Sequence, residues 1–325
     1  MKIFHIVLIY FFQYLINLLL ALAAMALIST EAAFAHGIAG NRYFPATSTI
    51  DDPAVADELS ITSFRFNGVN AQSLERDSAT SISGARLLST NWAIGFDYEK
   101  SSTKQLGNTN LDARSNDVYL KGLLSRDDLN ESLVSASLGY GYIHKDISGL
   151  GVSPHYSLLP SITFGKGFGN LGESWAWARP IAIVGAIAAD VPLQRSANIN
   201  SVSTGNQDFV NSQALNSNSI HWGFAVEYST LFLTNRFKYG LLPDEEPLHQ
   251  FVPLVEFAFD SSPAIKTTGT MNPGLSYVEQ TWQLTGEAVI PLNQGQSKVT
   301  GFRVQLMFFL DDLIPTLFEK PLFIH

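Results

Sequence analysis

The sequence predicts an all-β protein, a transmembrane antiparallel β-barrel of about twelve strands, and three observations predict it. From Trp92 to Phe308, stretches of about ten residues carry an apolar or aromatic side chain at every second position. The clearest are Trp92-Ile94-Phe96-Tyr98, Val134-Ala136-Leu138-Tyr140-Tyr142, Ile220-Trp222-Phe224-Val226-Tyr228 and Phe302-Val304-Leu306-Phe308-Leu310. The positions between them, among them Gly95, Ser135, Ser137, Gly139 and Gln305, are too polar for the second buried face of a sandwich and suit a water-lined lumen. Finally, an export signal opens the chain and no later stretch approaches the length of a helical span, so insertion after export has to be by barrel.

Residues 1–35 are that signal: Lys2, the apolar run Ile6 to Ile28, and Ala33-Phe34-Ala35 before a cleavage that would leave His36 as the mature N-terminus. The run is long and contains Gln13 and Asn17, so an uncleaved anchor is the alternative. Residues 36–57, rich in Pro, Asp and Ala and without alternation, read as a periplasmic lead-in or partial plug, and 58–325 as the outer-membrane barrel.

Strands are expected at 58–66, 78–89, 92–99, 116–125, 132–144, 155–165, 175–189, 219–233, 250–260, 275–291 and 299–310. The connections 101–115, 145–154, 190–218 and 261–274 are long and face outward, while 126–131, 166–174 and 292–298 are shorter and face the periplasm. The segment 234–249 falls on the periplasmic side despite its length. Eleven strands cannot close with both termini on one side. A twelfth is therefore sought in the tail 313–325 or before Trp92, with ten strands as the alternative count.

Composition agrees. The chain has 325 residues, 12% aromatic and 15% charged, the average of a polar lumen and an apolar belt. The absence of Cys excludes disulfides, thiolate metal sites and a cysteine nucleophile, and a net charge of −9 argues against nucleic acid as a partner.

The lead-in HGIAGNRYFPATSTIDDPAVADE, the block HQFVPLVEFAFDS and the C-terminal runs NPGLSYVEQTWQLTGEAVIPLN and GFRVQLMFFLDDLIPTLFEKPLF resemble an uncharacterised proteobacterial outer-membrane β-barrel family. That family is similar to the transporters of the MetA-pathway phenol-degradation type. The resemblance implies a barrel and passage of small or aromatic solutes, and it supplies no functional residues. Many such barrels end in a closing aromatic residue, whereas here fifteen residues follow Leu310.

With the aromatic phase turned to lipid, Asp97, Glu99, Asp117, Lys121, His221, Glu227, Glu256, Asp260, Glu279, Glu287 and Arg303 line the lumen. Carboxylates outnumber bases there, which predicts weak cation preference; the alternative is that they pair across strands, for instance Arg303 with Glu287. Trp92, Tyr98, Tyr142, Trp175, Trp177, Trp222, Tyr228 and Trp282 read as aromatic girdles at the headgroup level.

Catalytic and metal readings find little support. His36 could chelate copper through its amino group and imidazole, but His144, His155 and His249 lack a chelating spacing. His144 sits on the lipid-facing phase without an orienting partner in sequence. Residues 165–169 (GKGFG) precede no helix and read as a turn; Asp51-Asp52 and Asp311-Asp312 read as turn or cap residues. The sequence thus points to a passive or gated channel for small solutes, without cofactor, whose partners are outer-membrane lipid and, during insertion, the barrel assembly machinery. A closed barrel serving as a surface binding or structural protein is the alternative, and an outer-membrane hydrolase a distant third.

Overall fold

A computed structural model describes residues 37–40, 42–66, 76–104, 110–145, 154–194, 196–199, 212–231, 250–263, 265–292, 300–318 and 320–323. The expected signal at 1–35, His36 and the segment 234–249 lie outside the described residues.

Twelve strands form one closed barrel: β3 (Glu58–Phe66), β4 (Arg76–Ser89), β5 (Trp92–Lys104), β6 (Asn110–Asp127), β7 (Ser132–Lys145), β8 (His155–Gly167), β9 (Ile181–Pro192), β12 (Ser219–Tyr228), β13 (Gln250–Ser262), β14 (Ile265–Val278), β15 (Trp282–Pro291) and β16 (Gly301–Phe309). Two small hairpins stand apart, β1 (Ile38–Ala39) with β2 (Arg42–Tyr43), and β10 (Ser196–Ile199) with β11 (Ser212–Leu215). Neighbouring barrel strands are antiparallel, and β16 closes on β3 with Phe309 opposite Glu58. Closure leaves the sheet without an edge, the condition for strands in a medium that offers backbone groups no water. Among the described residues no helix is long and apolar enough to cross a membrane.

The alternation decides which face is which. Ile94, Phe96, Leu120, Leu138, Tyr140, Ile162, Phe164, Ile187, Leu275, Leu284 and Phe302 are all exposed, and by parity all point away from the barrel axis. An apolar belt running around the whole barrel is far larger than a water-soluble monomer tolerates, and it matches lipid. The fold is that of a transmembrane barrel of the bacterial outer membrane.

Several elements depart from the sequence expectation. The twelfth strand lies neither in the tail nor before Trp92: it is β14, where a loop was expected at 261–274. Its residues IKTTGTMNPGLSYV hide the alternation behind threonines, Gly269, Gly274 and Pro273, yet every inward position from Asn272 to Val278 is taken by a buried or small residue. The expected strand 275–291 is in fact two, β14 and β15, separated by a turn at 279–281. This extra crossing puts Pro291 and Gly301, which flank the connection expected at the periplasmic end, at the outer end of the barrel. The outer parts of β5 and β6 extend through much of the expected loop 101–115, because polar strands continue to pair once they leave the lipid. Trp175 and Trp177 lie not on a strand but on a 3-10 helix, Glu173–Ala178, in the β8–β9 connection. After β16 the chain turns into two short helices, α1 (Leu310–Leu313) and α2 (Pro315–Phe318).

The inner face has two tiers. Toward the end that holds the turns 90–91, 128–131 and 279–281, inward positions are apolar: Leu87, Ala93, Leu133, Ala182, Val184, Ala225, Val252, Leu254, Val278, Met307 and Phe309 are buried. Toward the other end Ser, Thr and carboxylates predominate, with His221 and Arg303 among them. Short turns mark the first end as periplasmic. The apolar tier is covered by residues 37–57.

Candidate functional site

Residues 37–57 touch strands around the whole circumference, which only an occupant of the interior can do. The hairpin β1–β2 sits at the periplasmic mouth, where the Gly40 amide donates to Asp128 Oδ1 (2.9 Å); Gly40 has φ of 58°, a conformation that favours glycine. Arg42 is fully buried just inside: its Nε lies 3.4 Å from Glu131 Oε2, and its guanidinium also donates to the Pro180 carbonyl (3.0 Å) and to the Arg179 carbonyl. Tyr43 donates to Gln283 Oε1 at 2.7 Å and meets Phe309 edge-on. Phe44 packs with Ile50, Ala54, Leu133, Val184 and Ala225. Its ring rests on Gly165, where a Cβ would stand 2.9 Å from Phe44 Cδ1, so that glycine makes room for the ring.

The segment turns back at mid-depth. Thr47 donates to Glu256, the Thr49 amide to Glu256 Oε2 (3.2 Å), and Ser48 to Glu287. On the way down Lys121 Nζ donates to Asp51 Oδ2 (2.6 Å) and to the Asp52 carbonyl (2.8 Å), Ser135 donates to the Pro53 carbonyl, and Asp52 Oδ1 accepts the Ala54 amide. Burial raises the Asp52 carboxyl to about 6, with Lys121 opposing. At the rim Asp57 accepts from Arg86 (2.5 Å) and from the Leu87 amide (2.7 Å), and the chain enters β3.

Above this loop the outer half of the barrel is hollow. One cavity of about 390 Å³ is bordered by Asp51, Glu58, Asp97, Asp117, Tyr119 and several serines. Another of about 490 Å³ lies beside Glu99, Ser101 and Arg303, and a third of about 180 Å³ beside His221 and Asp260. A chamber of this size and polarity can admit a small solute from outside; loop residues 46–49 and Asp51 border it, and it reaches down beside the loop to Glu58 and Met307.

The residues named from sequence separate into groups. Asp97 and Asp117 are register partners facing the chamber. Glu99 faces it higher up, and His221 Nδ1 stands 2.5 Å from Asp260 Oδ1 near the outer rim. Lys121, Glu256 and Glu287 instead hold the loop, and Glu227 is buried near Arg42. The cross-strand pair of Arg303 with Glu287 is replaced: the two are opposite in register, but Arg303 donates to Thr49, lies 3.9 Å from Glu256 Oε1 and covers the Phe64 ring. Glu279 is not on the inner face; it falls in the turn after β14 and accepts the hydroxyl of outward Tyr277.

Of the aromatic positions, Trp92, Tyr228 and Trp282 stand at periplasmic strand ends beside the exposed Trp175 and Trp177, and Tyr142 and Trp222 near outer ends, with Trp222 stacked on Phe259 at 4.2 Å. Tyr98 is mid-strand, away from either rim. His144 lies 6.3 Å from the Tyr142 ring on the outer surface. In the turn after β8 the Gly169 amide donates to Glu131 Oε2 at 2.8 Å. Asp51 and Asp52 both face Lys121, and Asp311 and Asp312 open α1.

Sequence reasoning missed Arg42, Tyr43, Asp57 and Tyr119. Tyr119 had a signal: its partner across the ladder is Gly95, where a Cβ would lie 2.2 Å from Tyr119 Cζ, and a mid-strand glycine marks a ring laid across the backbone. Arg42 had none.

A closed barrel with a lipid-facing belt, an internal loop and a polar outer chamber defines an outer-membrane β-barrel protein. No family model matches the sequence, and no curated protein matches it. Among solved structures the chain is similar to the β domain of the Bordetella autotransporter BrkA (10% identity, 78% of this chain and 98% of that one, TM-score 0.49). It is also similar to the KdgM porin (10%, 77% and 98%, 0.39) and to outer membrane phospholipase A from Escherichia coli (12%, 80% and 94%, 0.38).

Proposed function

We propose that the chain is an outer-membrane channel for small solutes, gated by residues 37–57, with a weak preference for cations. The observation that carries the reading is the acidic chamber in the outer half, set directly above a loop that fills the periplasmic half. In a narrow wet lumen, Asp97, Glu99 and Asp117 raise the local cation concentration and repel anions. Passage requires the loop to shift, so the pore conducts intermittently. Residues 1–35 act as the cleaved signal and 58–325 as the barrel. The resemblance to transporters of the MetA-pathway type supports small, including aromatic, solutes. The protein works without catalysis, and its partners are the solute, outer-membrane lipid and the barrel assembly machinery. The tight packing of the loop favours a second reading, a permanently closed barrel that binds at the cell surface.

Planar-bilayer recording tests this. Brief conductance steps that carry potassium better than chloride are expected, more frequent when the loop is loosened by Phe44→Ala. Verified insertion with no steps from either protein favours the closed binder, and chloride selectivity overturns the cation preference.

A further inference from the structure

We propose that the outer chamber is a binding site for a small organic cation, an amine or diamine, with Asp97 and Asp117 as the pair that receives an ammonium group. The inference deepens the channel reading, since it rests on the chamber being the solute-facing half. Asp97 on β5 and Asp117 on β6 are direct register partners on the inner face. On the other side of Asp117 the wall is carved away by glycine: a Cβ at Gly139 would stand 3.4 Å from Asp117 Oδ2, and one at Gly141 3.0 Å from Asp117 Cβ. Asp51 and Glu58 border the same cavity.

Three polar groups there are left over, one of them Asp190 through its Oδ1. Glu58 is 9% exposed and Gln305 6%, both border the cavity, and among the described residues Glu58 Oε2 and Gln305 Oε1 have no hydrogen-bond partner. A buried oxygen without a donor calls for one. The base beneath the chamber, Lys121, is already engaged by Asp51 and the Asp52 carbonyl. In each of two serine pairs, Ser60 with Ser83 and Ser137 with Ser161, both at 2.7 Å, one hydroxyl proton is already committed to its neighbour. A ligand bearing N–H donors and positive charge supplies what the cavity lacks, and Tyr119 beside the two aspartates offers a ring face to a cation. Among the described residues no three acidic or imidazole groups converge as a metal ion would require, which favours charge spread over an organic molecule.

The test is calorimetry on the folded, detergent-solubilised barrel, with 1,4-diaminobutane, butane-1,4-diol and magnesium chloride as probes. The diamine binds, the diol does not, and the Asp97→Asn/Asp117→Asn double variant loses roughly tenfold or more in affinity, while Asp260→Asn at the outer rim stays within about twofold. Equal binding of diol and diamine, displacement of the diamine by equimolar magnesium, or undiminished binding by the double variant overturns the proposal. Heat-modifiable electrophoretic mobility reports folding; should the double variant not fold, Ser137→Leu, which fills the cavity, takes its place with the same loss expected. Diamine binding without conductance leaves this inference standing and removes the channel, and conductance without binding does the reverse.

Discussion

Phe44→Ala separates the loop from the barrel more cleanly than any other single change. Phe44 is completely buried, and its ring is enclosed by loop residues on one side and by Leu133, Val184, Ala225 and the bare backbone of Gly165 on the other. Truncation removes the apolar contact and leaves a cavity that the β-wall cannot collapse to fill, a loss of about 3–5 kcal/mol. None of that loss falls on the ladders of the barrel, whose strands pair through backbone groups. At RT near 0.59 kcal/mol the equilibrium for undocking the loop therefore rises roughly 10²- to 5 × 10³-fold. Hydrogen exchange followed by mass spectrometry reads this directly: amides of 42–57 exchange faster by about that factor, while those of β6 and β7 keep their wild-type protection. Unchanged exchange in 42–57, or a uniform rise across the strands, refutes the view that the loop is a separately docked body.

Lys121→Met leaves the buried Asp52 carboxylate without its base and the more exposed Asp51 without its partner, and costs about 3–5 kcal/mol, read as faster exchange confined to the loop. Gly95→Ala drives a methyl into the Tyr119 ring, and the displaced ring costs about 1–3 kcal/mol, seen as a lower temperature for loss of the compact electrophoretic form. The Asp52 carboxyl, raised to about 6 by burial from an ordinary 3.8, binds its proton more tightly docked than released. Its contribution to docking is thus complete below about pH 4 and lost as pH rises through about 6, so loop amides, corrected for intrinsic rates, exchange more slowly at pH 5 than at pH 7.5. Arg86→Ala removes the donor to the Asp57 carboxylate and to the carbonyls of Leu317 and Lys320, and limited proteolysis then cuts the C-terminal segment sooner.

What could be read from the sequence is what repeats with period two. The outward rows of β5, β7, β12 and β16 follow from parity because lipid demands an apolar residue at every outward position. Where that demand relaxes, the signal fades. β14 reads as a loop because Thr and Gly occupy its outer half and Pro273-Gly274 its middle, and the 3-10 helix at 173–178 reads as a strand because Trp175 and Trp177 alternate as a strand would. The inward rows are harder still: a lysine such as Lys121 faces the lumen on parity alone, but nothing local says that it meets Asp51, 70 residues away. The two-tier interior, apolar below and acidic above, depends on a segment folding back into the barrel that follows it, a long-range fact that no window of residues contains.

Asp57 has a consequence for how the wall is completed. Every other pair of adjacent strands is joined by a connection that limits its alignment, whereas β3 and β16, the first and last staves, must find their register across the length of the chain. The Leu310 amide donates to the Asp57 carbonyl at 2.8 Å, extending that ladder one rung past Phe309 and Glu58, while the carboxylate of the same residue grips β4. The seam is thereby pinned from its periplasmic edge, and a slip by one residue would forfeit the clasp before it disturbed anything in the lipid.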